Sequence, residues 1–163
     1  CSVDAHHRLP LGGVSVPLPS YRQSFGLASQ HVLLAEPPSG RAGPDAGAVI
    51  EALRRGRGWC GFDGLADARG LELEVRSGGG AGTMGATLPW AEDAELRLEL
   101  PPAGTRARTR LLRDGREVAT SRGRHWTVPL ETPGSYRVEA LLRAGDRWLP
   151  WILTNPVRLE ERR

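Results

Sequence analysis

The sequence predicts an α+β chain that is mainly β, and three observations carry that reading. From residue 71 onward, apolar and charged side chains alternate with period two. A single stretch, residues 45–57, repeats at helical spacing. The chain also holds 21 glycines and 13 prolines in 163 residues, which favours many turns and short strands over long helices. Half-buried strands alternate in this way because successive side chains point to opposite faces, whereas a helix face recurs every 3.6 residues.

From the first residue, Ser2-Val3 reads as the end of a buried strand. Pro10, Gly12, Gly13, Pro17 and Pro19 then predict an irregular loop as far as Ser20. A loop of that length inside a compact domain is a functional signal. His31-Val32-Leu33-Leu34-Ala35 reads as a short buried strand, closed by Pro37-Pro38-Ser39-Gly40. The helix from Asp45 to Arg57 builds one apolar face from Ala46, Val49, Ile50 and Leu53. Pro44 and Asp45 suit its start, and Gly56 suits its stop. Trp59-Cys60-Gly61-Phe62 follows as a strand. Strand, helix, strand in this order predicts a βα crossover, the repeating unit of a parallel sheet or barrel.

Leu71, Leu73 and Val75 open the alternating region, and Ser77-Gly78-Gly79-Gly80 predicts a flexible domain boundary. Further strands are expected around Leu96–Leu100, Ala107–Leu111, His125–Val128, Tyr136–Leu142, Trp148–Leu153 and Val157–Leu159. Asp114-Gly115 is a two-residue hairpin signal. Pro150 predicts an edge strand or a bulge. About seven short strands at this spacing predict an antiparallel sandwich of immunoglobulin-like size, over residues 78–163.

Composition sets bounds on function. All 22 basic residues are arginine; with 19 acids the net charge is +3. Arg54-Arg55-Gly56-Arg57 and Arg106, Arg108, Arg110 read as solvated faces rather than a strong nucleic-acid signal. No apolar stretch approaches the roughly 20 residues of a membrane helix. Two cysteines, Cys1 and Cys60, make neither a disulfide framework nor a zinc spacing, so a cytoplasmic and a periplasmic setting both stay open. Cys1 also suits the acylated residue of a lipoprotein, although no polar tether follows it.

Asp4-Ala5-His6 is the sharpest chemical signal. In an extended segment, residues two apart project to one side, so the carboxylate and the imidazole converge on a single cation. An oxygen with a borderline nitrogen suits Zn, Mn or Fe. His7 is a neighbour that could contact substrate. Asp63 and Asp67 are weaker cation candidates, read first as turn residues, and His31 and His125 read as satisfied strand histidines. Trp148 and Trp151 are the best pair for an aromatic sugar platform, although sandwich core is the favoured reading.

The order of these pieces resembles the PHP (polymerase and histidinol phosphatase) family, in members carrying a β-sandwich after the barrel. The stretches are Val3-Asp4-Ala5-His6, Pro19-Ser20-Tyr21 with Phe25, and His31-Val32-Leu33-Leu34. An "EALR-GR" element over Glu51–Arg57 follows, then Pro133–Glu139, and finally Pro150-Trp151-Ile152-Leu153-Thr154-Asn155-Pro156. The resemblance implies that residues 1–77 are the terminal β/α segment of a TIM-like PHP barrel. It implies metal ions at the barrel mouth that activate water against a phosphorylated small molecule or a phosphodiester. Asp4 and His6 match the family's last metal motif; its earlier His-x-His has no counterpart here. The expectation is therefore the carboxy-terminal part of a metal-dependent phosphoesterase, inactive alone, with the rest of the barrel upstream and dimerisation through uncovered apolar surface. The rival expectation is a non-catalytic immunoglobulin-like module, structural or carbohydrate-binding, in which Asp4 and His6 are incidental.

Overall fold

The computed structural model describes residues 8–11, 14–17 and 20–161. The first elements are β1 (Arg8–Leu11), β2 (Val14–Pro17), α1 (Tyr21–Phe25), β3 (Ser29–Val32), α2 (Ala42–Arg54) and β4 (Gly58–Gly61). Then come β5 (Glu72–Ser77), β6 (Gly80–Gly82), β7 (Thr87–Pro89) and β8 (Glu95–Glu99). A 3₁₀ turn, Pro102–Arg106, leads into β9 (Arg108–Arg113), β10 (Arg116–Arg122) and β11 (His125–Pro129). The chain closes with β12 (Gly134–Ala144), β13 (Arg147–Thr154) and β14 (Val157–Glu160).

Two sheets face each other. One has four strands in the order β11-β8-β5-β6. The other has eight, running β10-β9-β12-β13-β4-β3, with β14 on β12 and β7 on β14. Every pairing in these two sheets is antiparallel except β7 with β14. The architecture is thus mainly β and consistent with a β-sandwich. The alternating residues supply its core: Leu73, Val75, Leu96 and Leu98 from the small sheet meet Leu111, Val138, Ala140, Ile152, Val157 and Leu159 from the large one. Burying each large aliphatic side chain stabilises by about 1.5–3 kcal/mol. Tyr136, the third residue of β12, donates its hydroxyl to the Thr132 carbonyl, the hydrogen bond of a tyrosine corner.

Asp114 and Gly115 have φ of 49° and 81°, as the expected hairpin turn requires. Pro150 sits at a bulge, where Trp151 is the extra residue between the Leu141↔Pro150 and Ala140↔Ile152 pairs.

Several expectations are corrected. β3 and β4 are antiparallel neighbours, so β3–α2–β4 is not a parallel crossover. The large sheet continues from β13 through β4 to β3, and β5, which ends at Ser77, pairs with β8 and β6. Hydrogen bonding therefore runs across the expected boundary at residue 77. Ser77–Gly80 is no linker: Ser77 pairs with Gly80, and Gly78 and Gly79 make the turn with φ of 57° and 81°. Pro10 and Pro17 do not preclude strands either. They lie in β1 and β2, which pair only with each other among the described residues, so each proline has an edge available.

The helices also differ from expectation. α2 starts at Ala42, one turn before Asp45, with Arg41 at the cap. Pro44 still falls in the first turn, where its missing N–H is no loss. The Asp45 carboxylate turns backward and accepts from the Ser39 N–H and hydroxyl and the Gly40 N–H. α1 has a capping box: Ser20 accepts from the Gln23 N–H, and the Gln23 side chain accepts from the Ser20 N–H. Ser-x-x-Gln ahead of an apolar residue is the spacing that such a reciprocal cap needs.

Candidate functional site

Asp4, His6 and His7 lie outside the described residues. The chemistry that is described gathers where β3, β4 and residues 62–70 meet.

β4 opens with Gly58-Trp59-Cys60-Gly61, and β3 pairs His31 opposite Trp59. The His31 ring stacks on the Trp59 indole with centroids 5.0 Å apart and planes 4° from parallel. Gly61 makes room for this: a Cβ there would sit 2.7 Å from His31 Nε2 and 2.6 Å from the Ala68 Cβ. His31 Nε2 lies 3.1 Å from Asp63 Oδ2, while Asp63 Oδ1 accepts from the Ala68 N–H at 3.0 Å. Trp59 Nε1 donates to the Ala68 carbonyl at 3.1 Å. Burial pushes the Asp63 carboxyl up, but the Ala68 N–H, the Ser29 side chain and His31 outweigh it and hold the group below the usual carboxylate range.

An imidazole oriented by a carboxylate is the arrangement used to position a general base. Here the ring lies flat on Trp59 and its side chain is 14% exposed, so the pair clamps residues 62–68 onto the sheet. Asp67 is drawn off by Arg69, whose guanidinium and N–H lower its carboxyl to about 2. Asp63 and Asp67 are thus each held by protein donors. No group of three or more His, Cys, Asp or Glu side chains suited to a metal ion occurs among the described residues. The described residues alone do not make a metal centre.

The stretches quoted from sequence do come together elsewhere. Asn155, in the tail stretch, donates its side-chain amide to the Gly56 carbonyl at 3.0 Å, and its backbone N–H to the Gly58 carbonyl at 3.1 Å. Gly56, with φ of 68°, ends α2. Gly85 fits into the same corner. It donates its N–H to the Pro156 carbonyl, and a Cβ on it would lie 1.9 Å from the Arg55 carbonyl oxygen. Trp151 is fully buried and donates Nε1 to the Ala66 carbonyl at 2.8 Å. Trp151 is core, as the favoured reading of the tryptophan pair has it, and Trp148 is 36% exposed. His125 is on the surface of β11, 3.6 Å from Glu99.

Sequence reasoning missed one feature. Cys60 is disulfide-bonded, and the chain's other cysteine, Cys1, lies outside the described residues. The apolar side of α2 is uncovered: Ile50 and Leu53 are 55% and 49% exposed, and Ala52 alone is buried. Tyr21, stacked on Phe25 at 6.1 Å, is exposed as well, as are Phe25 and Leu27. No helix among the described residues is long and apolar enough to cross a membrane. Against this geometry, comparison of the chain with protein-family models, with curated proteins and with solved structures finds no match.

Proposed function

We propose that this chain is the closing segment of a PHP-type metal-dependent phosphoesterase barrel, carrying an accessory β-sandwich. The observation that supports it best is the uncovered apolar side of α2. An amphipathic helix in a globular protein turns its apolar stripe to a core. Ile50 and Leu53 instead face solvent, as do Tyr21, Phe25 and Leu27 of α1 and the residues after it. Exposed apolar clusters mark surface that another body covers. In this reading the covering body is the preceding part of the barrel. The corner where Gly56 meets Asn155 and Gly85 ties the C-terminal end of α2 to the sandwich.

Asp4 and His6 would present a carboxylate oxygen and an imidazole nitrogen to the metal, a set suited to Zn, Mn or Fe. The metal, when bound, supplies an activated water and charge neutralisation at a phosphoryl group. His7 would sit beside the substrate, a phosphorylated small molecule or a phosphodiester. Among the described residues, β3 pairs with β4 and the His31–Asp63 clamp holds residues 62–68 onto them.

Two ligands do not hold a polynuclear site, so the chain alone is expected to bind Mn²⁺ or Zn²⁺ weakly and not to turn over p-nitrophenyl phosphate. The deciding test is the reading frame that precedes Cys1 in the gene. It is expected to encode a His-x-His pair roughly 200 residues or more upstream, from the size of a barrel. The protein expressed with that segment should carry two or more transition ions by metal analysis and lose them with Asp4→Ala. A stop codon directly before Cys1 would falsify the reading.

A further inference from the structure

The large sheet carries a basic end that its own carboxylates leave unneutralised. Arg122 on β10, Arg108 on β9 and Leu141 on β12 are successive cross-strand partners in one row. One row along, Arg110 and Glu139 are partners. There Glu139 accepts from Arg110 Nε at 2.7 Å and pairs with Arg137, while Glu117 approaches Arg110 at 3.9 Å. The row of Arg108 and Arg122 has no such acid. Among the described residues, neither side chain makes an ion pair or hydrogen bond, and both are exposed. Like charges directly opposite on a sheet are destabilising.

Arg143 follows Leu141 by two residues on β12, so it stands on the same face, opposite Trp148 of β13. With a strand spacing of about 4.8 Å and about 6.7 Å per two residues, Arg122, Arg108 and Arg143 fall within about 12 Å. Arg106, which makes no ion pair among the described residues, lines the same cavity as Arg143. Trp148, 36% exposed, is the aromatic surface set among these charges. In sequence the arginines lie in three separate segments, around 106–108, at 122 and at 143; the strand pairing brings them together.

We propose that this end of the sheet binds single-stranded nucleic acid, with Arg108, Arg122 and Arg143 on phosphates and Trp148 stacking on a base. Such binding joins a positive platform to an exposed aromatic. A membrane surface fits less well. Trp148 and its neighbour Leu149 point to opposite faces, and the hairpin tip between β12 and β13 carries Asp146, so no apolar wedge forms. This inference does not depend on the phosphoesterase reading.

The test is fluorescence anisotropy of the whole chain with a fluorescein-labelled oligothymidylate of about 15 nucleotides. Three phosphate contacts predict a log–log salt slope of about −2. Arg108→Gln with Arg122→Gln should flatten it by about 1.4. Trp148→Ala should weaken binding at least about fivefold with the slope unchanged. The double variant should also melt no lower than the parent, since it relieves like-charge repulsion. The proposal is overturned by absent saturable binding at low salt, or by an unchanged slope in the double variant. A lower melting temperature of that variant, or phosphatidylserine vesicles outcompeting the oligonucleotide, overturns it equally.

Discussion

Thr109 places a hydroxyl in the core with no partner among the described residues, 1% exposed on β9. A buried hydroxyl without a hydrogen bond carries a desolvation penalty of about 1–3 kcal/mol. Valine keeps the β-branched shape that a strand favours and removes the polar atom. Thr109→Val is therefore expected to stabilise by about 1 kcal/mol, read as a melting temperature roughly 2–4 °C higher. Asp63 is the opposite case, a carboxylate that the fold holds ionised. Its folded pKa lies below its unfolded value, so its contribution is complete above the unfolded value of about 3.9 and is lost as pH falls through the folded one. Asp63→Asn should lower the melting temperature at pH 7, and the gap to the parent should close as the pH is taken below about 4. A gap that stays constant with pH would show that the carboxylate's charge adds nothing to the clamp.

At the scale of elements, strands are the legible part. Leu96 and Leu98 alternate with Glu95, Arg97 and Glu99, and β8 buries the two leucines as the alternation requires. The strand–helix–strand segment is less legible, because a short apolar run does not say whether its partner lies parallel or antiparallel. The Ser77–Gly80 stretch misleads because consecutive glycines serve equally as a linker or as a turn needing positive φ. What decides a glycine's role is the space around it, which no sequence shows. Gly79 and Gly85 have nearly the same φ, 81° and 82°. Nothing lies within 4 Å of a Cβ built on Gly79, whereas on Gly85 it meets the Arg55 carbonyl oxygen at 1.9 Å. Gly79→Ala should cost only the backbone strain of about 1 kcal/mol. Gly85→Ala should cost about 3 kcal/mol or more, since backbone must move as well. Thermal melts of the two variants separate these terms, with Gly85→Ala expected roughly 6–12 °C below the parent. Of the proposed ligand pair the sequence is the sole witness, since Asp4 and His6 fall outside the described residues.

The whole molecule joins a sandwich core to an apolar flank on α2 that is uncovered among the described residues, and α1 leaves apolar side chains exposed as well. Tyr21, Phe25, Leu27, Ile50 and Leu53 are each about half exposed or more, above any large apolar side chain on the described sandwich surface. For the chain alone, water is a poor solvent for that flank, and a second copy is the nearest apolar surface available. Self-association is therefore expected to rise with protein concentration. Ile50→Gln with Leu53→Gln should suppress it. Because both side chains are solvent-facing on a single helix, the substitution removes little buried area and should leave the melting temperature within about 1–2 °C of the parent's. Sedimentation velocity over a concentration series measures the first effect and a thermal melt the second. If the double variant instead melts well below the parent while remaining as associated, the flank is already packed within the chain. The case for a preceding barrel that covers it would then fail with it.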